Sequence, residues 1–271
     1  MLHYLILAPL LAVAAASAVS ERATSSCPCG YRDSAGHIWR ESIKSNLATS
    51  NALSVVNQDW AVQTWGQQRD NVYMQYSADN VYNVQNVLGI RTKAWSGNGS
   101  VYTGEIQTNR ADIQYGSFRI KAKIPTAKGA CFGFFSYQSD TQESDIEFLT
   151  NDTNFKHTVH YSNQPNHQTV TASADFTAFT EHRFDWMPGQ TTFYVNGAKQ
   201  TSMTANTPTA ASRILANVWS DGDPNWSMGP PKTNAVALIQ YINLYFNSTS
   251  YDATHFASDC KAAGSPAVCQ V

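Results

Sequence analysis

Charge is scarce in this sequence. Of 271 residues only 14% are Asp, Glu, Lys or Arg, and the formal net charge is −2. Without a basic excess there is no electrostatic case for nucleic acid or an anionic membrane as partner. Cysteine is sparse too, five in all, and Cys27-x-Cys29 has no further Cys/His pair at zinc spacing. No metal or other cofactor is therefore expected. Nowhere does a long apolar stripe recur at the 3.6-residue period of a helix, which argues against helical and βαβ folds. Neither a repeat nor a low-complexity linker divides the chain. The longest apolar run, Leu2 to Ala15, is too short and too Ala-rich for a spanning helix. It ends in Ala16-Ser17-Ala18, a small-x-small cleavage pattern, and reads as a signal peptide over residues 1–18. No apolar tail follows Ser250, so a C-terminal lipid anchor is not expected. The expectation is a secreted monomer, extracellular or associated with a cell wall.

What the chain does have is strands and aromatics. Short β-like segments recur with a turn every ten or so residues. Ser54-Val55-Val56, Trp60 to Trp65, Val72 to Tyr76, Val84 to Thr92 and Ser100 to Thr108 all read as strands. So do Cys131 to Tyr137, Lys156 to Tyr161, Phe193 to Val195, Ile214 to Trp219 and Ala235 to Phe246, the last as a strand buried on both faces. This rhythm predicts an all-β sandwich of two antiparallel sheets. One domain is expected over residues 19–250, with a polar tail over 251–271. Cys27 and Cys29 near one end, with Cys260 and Cys269 near the other, suggest disulfides that pin the termini. The pairing is open, and Cys131 is the candidate for the thiol left over. Seven Trp, thirteen Tyr and twelve Phe against so little charge suit a surface that stacks on neutral sugars, although most aromatics in such a fold simply fill strands. Asn98, Asn151, Asn225 and Asn247 stand in glycosylation sequons, of which Asn225 is the least favoured because Trp226 adjoins it.

One stretch organises the rest: Gln142-Glu143-Ser144-Asp145-Ile146-Glu147-Phe148-Leu149. On a strand, side chains alternate between two faces. Glu143, Asp145 and Glu147 then share one face, while Ser144, Ile146 and Phe148 share the other. Three crowded acids with no base beside them repel, and the pKa of at least one must rise. An acid and a carboxylate held side by side at neutral pH are what glycosidic bond cleavage requires. A solvated edge-strand face, or part of a cation site, is the alternative reading of the same pattern. The Cα atoms of Glu143 and Glu147 lie about 13 Å apart on an extended strand. Side chains leaning together across Asp145 approach the separation of about 5–5.5 Å that retaining glycosidases use.

Glu-x-Asp-x-Glu on a strand resembles the signature of glycoside hydrolase family 16. Gly104-Glu105-Ile106-Gln107-Thr108 and Tyr115 to Lys123 look like that family's strands upstream of the site. His182 to Trp186 with Phe193 to Gly197 resembles its downstream hairpin, and Asn217 to Gly222 followed by Trp226 its substrate-binding strand and loop. The likeness runs over residues 100 to 247. It implies a β-jelly-roll of the concanavalin A-like lectin/glucanase type and a secreted retaining endo-β-glucanase acting on β-1,3/1,4-linked glucans. A cell-wall transglycosylase remodelling glucan or chitin-glucan chains is the alternative, and a carbohydrate-binding lectin a remoter one. The lectin is disfavoured because binding alone gains nothing from three crowded acids.

Roles follow from the resemblance alone. Glu143 would be the nucleophile, Glu147 the acid and base, and Asp145 a partner of the nucleophile. Trp219 and Trp226 would be stacking platforms, Asn217 and Glu105 hydroxyl ligands, and Phe135, Tyr137 and Tyr161 cleft-lining residues. Ile146 alone separates Asp145 from Glu147, so the motif is of the unbulged form, typical of mixed-linkage glucanases, xyloglucan enzymes and fungal wall transglycosylases. Two departures from the family pattern are Ser144 in place of an apolar residue, expected to loosen packing, and Gln142 where an acid is common.

Overall fold

The computed structural model describes residues 27–69, 71–264 and 268–271. The proposed signal peptide lies outside them. Alternating short strands assemble into two large sheets stacked face to face.

The first sheet, here the acidic sheet, carries Gln142–Leu149 near its middle. On one side of that strand are Thr158–Asn163 and then Asn166–Thr171. On the other are Cys131–Ser139, Arg213–Trp219 and Val101–Thr108. Tyr73–Tyr76 joins Val101–Thr108 in parallel, while every pairing named before it is antiparallel. The second, backing sheet is centred on Ile113–Lys123, flanked by Thr180–Met187 and by the fourteen-residue strand Ala235–Ser248. Ala235–Ser248 alternates between buried and half-buried residues for most of its length, so it is covered fully on one face only, not on both as its sequence suggests.

Inward residues of the two sheets form one apolar core. Phe132, Phe134, Ile146, Phe148 and Tyr161 of the acidic sheet meet Phe118, Phe184, Trp186 and Phe193 of the backing sheet. Phe134 meets Phe184 edge-on at 5.5 Å between centroids, and Tyr161 stacks on Phe193 at 4.5 Å. Ring pairs of this kind add about 0.5–1.5 kcal/mol each beyond the area they bury.

Two expectations are corrected here. Ser54-Val55-Val56 is not a strand but part of a helix, Ala52–Asp59. Its Ala52 and Val56, four residues apart, are the buried face, a stripe too short to stand out against two adjacent β-branched residues. Ser144 does not loosen the core: its hydroxyl donates to Asn163 Oδ1 at 2.6 Å and lies 3.3 Å from Thr191 Oγ1. A buried polar side chain with its bonds made costs little. Within the polar tail, Ala253–Ala262 is a helix whose first turn is capped by the Asp252 carboxylate. Disulfides Cys27–Cys269 and Cys29–Cys260 tie the two ends together, and Cys131 is the free, buried thiol.

Candidate active site

The pleat of Gln142–Leu149 sends Ser144, Ile146 and Phe148 into the core, leaving Glu143, Asp145 and Glu147 on the opposite face. Its register with Cys131–Ser139 is unbroken from Leu149 to Glu143, so no bulge separates Asp145 from Glu147. Register then fixes the neighbours of each acid. His160, Glu147, Gly133, Asn217 and Glu105 form one row across five strands. Ser162, Asp145, Phe135 and Leu215 form the next, and Glu143 stands beside Tyr137 and Arg213 in the third. At Gly133 an added Cβ would come within 2.8 Å of Asn217 Oδ1, so the bare backbone there lets Asn217 and Glu147 face each other across the floor.

Burial dominates the electrostatics of the acids. Asp145 is 2% exposed, and burial, followed by the charges of Glu143 and Glu147, pushes its carboxyl well above the usual aspartate range. Held protonated, it donates to Glu143, while Gln164 Nε2 donates to its Oδ2 at 2.9 Å. Burial raises Glu143 to about 7, with the Asp145 hydrogen bond working against it and the Glu147 charge with it. Glu147 is raised as well, by burial, against hydrogen bonds from Cys131, Trp226 and Trp219 and the attraction of His160. At the other end of the Glu147 row, burial lifts Glu105 to about 7 against bonds from Asn217 and Tyr76. Asn217 Nδ2 donates to Glu105 Oε2 at 2.9 Å. The result is a set of carboxyls all lifted above their ordinary range, Glu143 and Glu105 to about 7, which suits paired acid and nucleophile chemistry.

The aromatic wall is built around Glu147. Trp219 ends its strand beside Cys131, and Trp226 reaches in from the following loop. Trp226 packs against His160 and His167, at 5.2 and 5.8 Å between centroids. That loop is fastened by Ser227 Oγ donating to Asp221 Oδ1 at 2.8 Å and by Asn151 Nδ2 donating to the Met228 carbonyl at 2.7 Å. Phe135 and Tyr137 lie on the acid face, and Tyr137 is half-exposed at its rim.

Tyr161 does not belong to this face. It pairs with Ile146, is fully buried against Phe193, and its hydroxyl has no hydrogen-bond partner among the described residues. Val159 shares the core side with it. His160 instead faces the cleft, opposite Glu147, its Nε2 2.7 Å from Asp152 Oδ2 and its Nδ1 3.1 Å from Thr169 Oγ1. All six residues of Thr158–Asn163 are buried, so polarity along that strand carries no sign of which side is which. Gln142, at the position where an acid is common, turns to the loop at 209–210, its Oε1 accepting from the backbone N–H groups of Thr209 and Ala210 at 2.8 and 3.0 Å. Four residues of the site were absent from the sequence reading of the cleft: Cys131, Gln164, Tyr76 and, as a cleft residue, His160. Among the described residues no group of three His, Cys, Asp or Glu side chains is arranged to hold a metal ion.

The profile of glycosyl hydrolases family 16 matches residues 63–237, which include the whole of this site. The chain belongs to that family. A β-glucanase of Paenibacillus macerans is 31% identical over 121 residues, 41% of this chain and 51% of that protein. The chain thus spans about half the length of the curated relatives it matches. Among solved structures, a Bacillus licheniformis β-glucanase superposes with a TM-score of 0.65 at 20% identity, covering 76% of this chain and 98% of that one. The apo form of Crh5 transglycosylase superposes at 0.59 and 15% identity, over 76% and 85%. At these identities the likeness is one of fold: the two-sheet antiparallel sandwich expected from the strand rhythm, in the jelly-roll form that the family resemblance implied.

Proposed function

We propose that the protein is a secreted, retaining endo-β-glucanase that hydrolyses β-1,3/1,4-linked glucans. One observation carries the reading: two glutamates flank a buried aspartate on one strand face, inside a cleft walled by two tryptophans, in a chain of family 16. Glu143, relieved of its proton, attacks the anomeric carbon. As that bond forms, the glycosidic C–O bond breaks and Glu147 passes its proton to the leaving oxygen. Water then attacks the glycosyl-enzyme from the vacated side and gives its proton to Glu147, and Glu143 departs as a carboxylate. The Asp145 donor stabilises Glu143 whenever it bears negative charge, before attack and on departure. Trp219 and Trp226 offer ring faces for stacking, with Asn217 and Glu105 as hydroxyl partners at the other end of the Glu147 row.

Export would remove residues 1–18, leaving a catalytic unit over 19–250 and a disulfide-tied tail over 251–271. Two buried or half-buried disulfides joining the ends suit an oxidising compartment. Asn98, exposed on a turn, is the favoured glycan site. A panel of defined β-glucans, with products sized and their anomers assigned by NMR, tests the activity. Short products with new reducing ends and β-anomers are expected. Products dominated by chains longer than the substrate would replace hydrolysis with transfer, and absence of any cleavage would remove the enzyme reading.

A further inference from the structure

The free, buried thiol of Cys131 lies against the cleft acids, and the reaction just described has no use for it. It lies on the strand beside Gln142–Leu149, two residues along from Gly133, the register partner of Glu147. From there Sγ reaches Glu147 Oε1 at 3.2 Å, within hydrogen-bonding range for sulfur. On Cys131's other side stands Trp219, whose indole also bonds Glu147. We infer that Cys131 is a positioning residue: its S–H donates to Glu147 Oε1, fixing the carboxyl plane so that Oε2 is presented to the glycosidic oxygen. The inference rests on Glu147 being the acid and base.

The chemistry suits the task. Burial and the neighbouring Glu147 push the thiol well above its ordinary pKa, so it remains S–H and cannot act as a thiolate competitor. A thiol is a weak donor. It can hold one oxygen in place while letting the carboxyl be protonated and deprotonated once each turnover. An ammonium or guanidinium at the same place would hold Glu147 as the anion and block its role as acid. The charged and titratable groups that face Glu147 are Glu143 and Asp145 on its own strand, Cys131 on one neighbouring strand and His160, backed by Asp152, on the other. The nearest cation-forming group is thus already paired, and the donors nearest the carboxyl are neutral.

The test is a pH–rate series with Cys131→Ala, Cys131→Val and Cys131→Ser on a glucan, with thermal unfolding measured on each. Donation favours the charged carboxylate, so losing it raises the alkaline limb that the acid controls. In the Ala and Val variants that limb should move up by about half a pH unit, with kcat down roughly three- to tenfold and KM little changed. Ser, which restores a donor, should recover most of kcat and bring the limb back to or below its original position. Val fills the space, so a packing role alone would leave Val near wild type and would not move the limb. Alkaline limbs and kcat values that are the same in all three variants would overturn the inference. The prior assignment is checked separately by Glu147→Ala on an aryl glycoside with a good leaving group. Cleavage retained, and accelerated by azide, supports Glu147 as acid and base, whereas its absence would overturn that assignment, and the inference with it.

Discussion

Two groups of buried or half-buried carboxyls in this molecule are treated in opposite ways. At the far end of the backing sheet, Arg110 forks between Glu41 and Asp112, at 2.8 Å from Glu41 Oε1 and 2.7 Å from Asp112 Oδ2. Ser248 and Ser250 add hydroxyl donors to Glu41 and Asp112 respectively. There the Arg110 hydrogen bond holds Asp112 down to about 2. In the cleft, no guanidinium among the described residues is hydrogen-bonded to Glu143, Asp145 or Glu147, and burial lifts all three. The first group is arranged as a structural brace, with every charge answered. The second is answered by neutral donors rather than by a bonded cation, which costs stability on a buried face and is tolerated where chemistry needs a proton that can leave and return.

The largest expected effect tests the second group. Glu143→Gln and Glu147→Gln should each lower kcat/KM on glucan by at least about a thousandfold with the fold retained, and Asp145→Asn by less. The same Glu143 change should stabilise the protein. Its folded pKa, about 7, lies above the ordinary glutamate value, so the stability tied to its proton is present below about 4.5 and is lost as pH rises through 7. Glu143→Gln removes that loss, adding about 1–3 kcal/mol at pH 8 and little at pH 4.5 by denaturant unfolding. Near-wild-type turnover, or a stability gain independent of pH, would contradict the contrast.

Arg110→Met should do the reverse, leaving activity intact below its melting point while costing about 2–3 kcal/mol at pH 7, less than a fully buried pair because Arg110 is partly exposed. Here the sign is opposite. Asp112's folded pKa is depressed, so its contribution is present above the ordinary aspartate value and lost as pH falls toward 2. The variant should therefore unfold with a shallower acid limb than the wild type. An unchanged acid limb would remove Arg110 from its bracing role.

How much of this was legible beforehand follows from where each signal lies. The acid row could be read because Glu-Ser-Asp-Ile-Glu-Phe alternates acid with inward residue, and the pleat converts that directly into a face. Glu105 and Asn217 were visible through their motifs, and register brings them into the Glu147 row. The brace at Arg110 was not legible, because Glu41 is sixty-nine positions away in sequence and reaches it only through the pairing of Glu41–Asn46 with Ala235–Ser248. Tyr161 was misplaced for a related reason. Thr158–Asn163 is buried on both sides, and only the pairing of His160 with Glu147 decides its orientation. Cys131 was seen as a leftover thiol, but its contact with Glu147 joins two strands and has no sequence signature.

The smallest effect separates two duties within the tryptophan wall, where neutral donors do for Glu147 what Arg110 does for Asp112. Each indole offers a ring face for a sugar and an N–H for the Glu147 carboxylate. Replacing Trp219 or Trp226 by Ala removes both, so KM should rise about five- to tenfold, near 1 kcal/mol. The alkaline limb of the pH–rate profile should rise as well, since the lost bond favoured the charged form. Phe keeps an apolar ring and lacks the N–H. The Phe variants should therefore hold KM within about twofold of wild type yet show the same displaced limb as the Ala variants. Steady-state kinetics on one soluble glucan between pH 4 and 9 would read both quantities. If Phe and Ala raise KM equally, binding depends on the indole N–H rather than the ring face. If neither moves the limb, the indoles serve binding alone, and the control of Glu147 passes to Cys131 and His160.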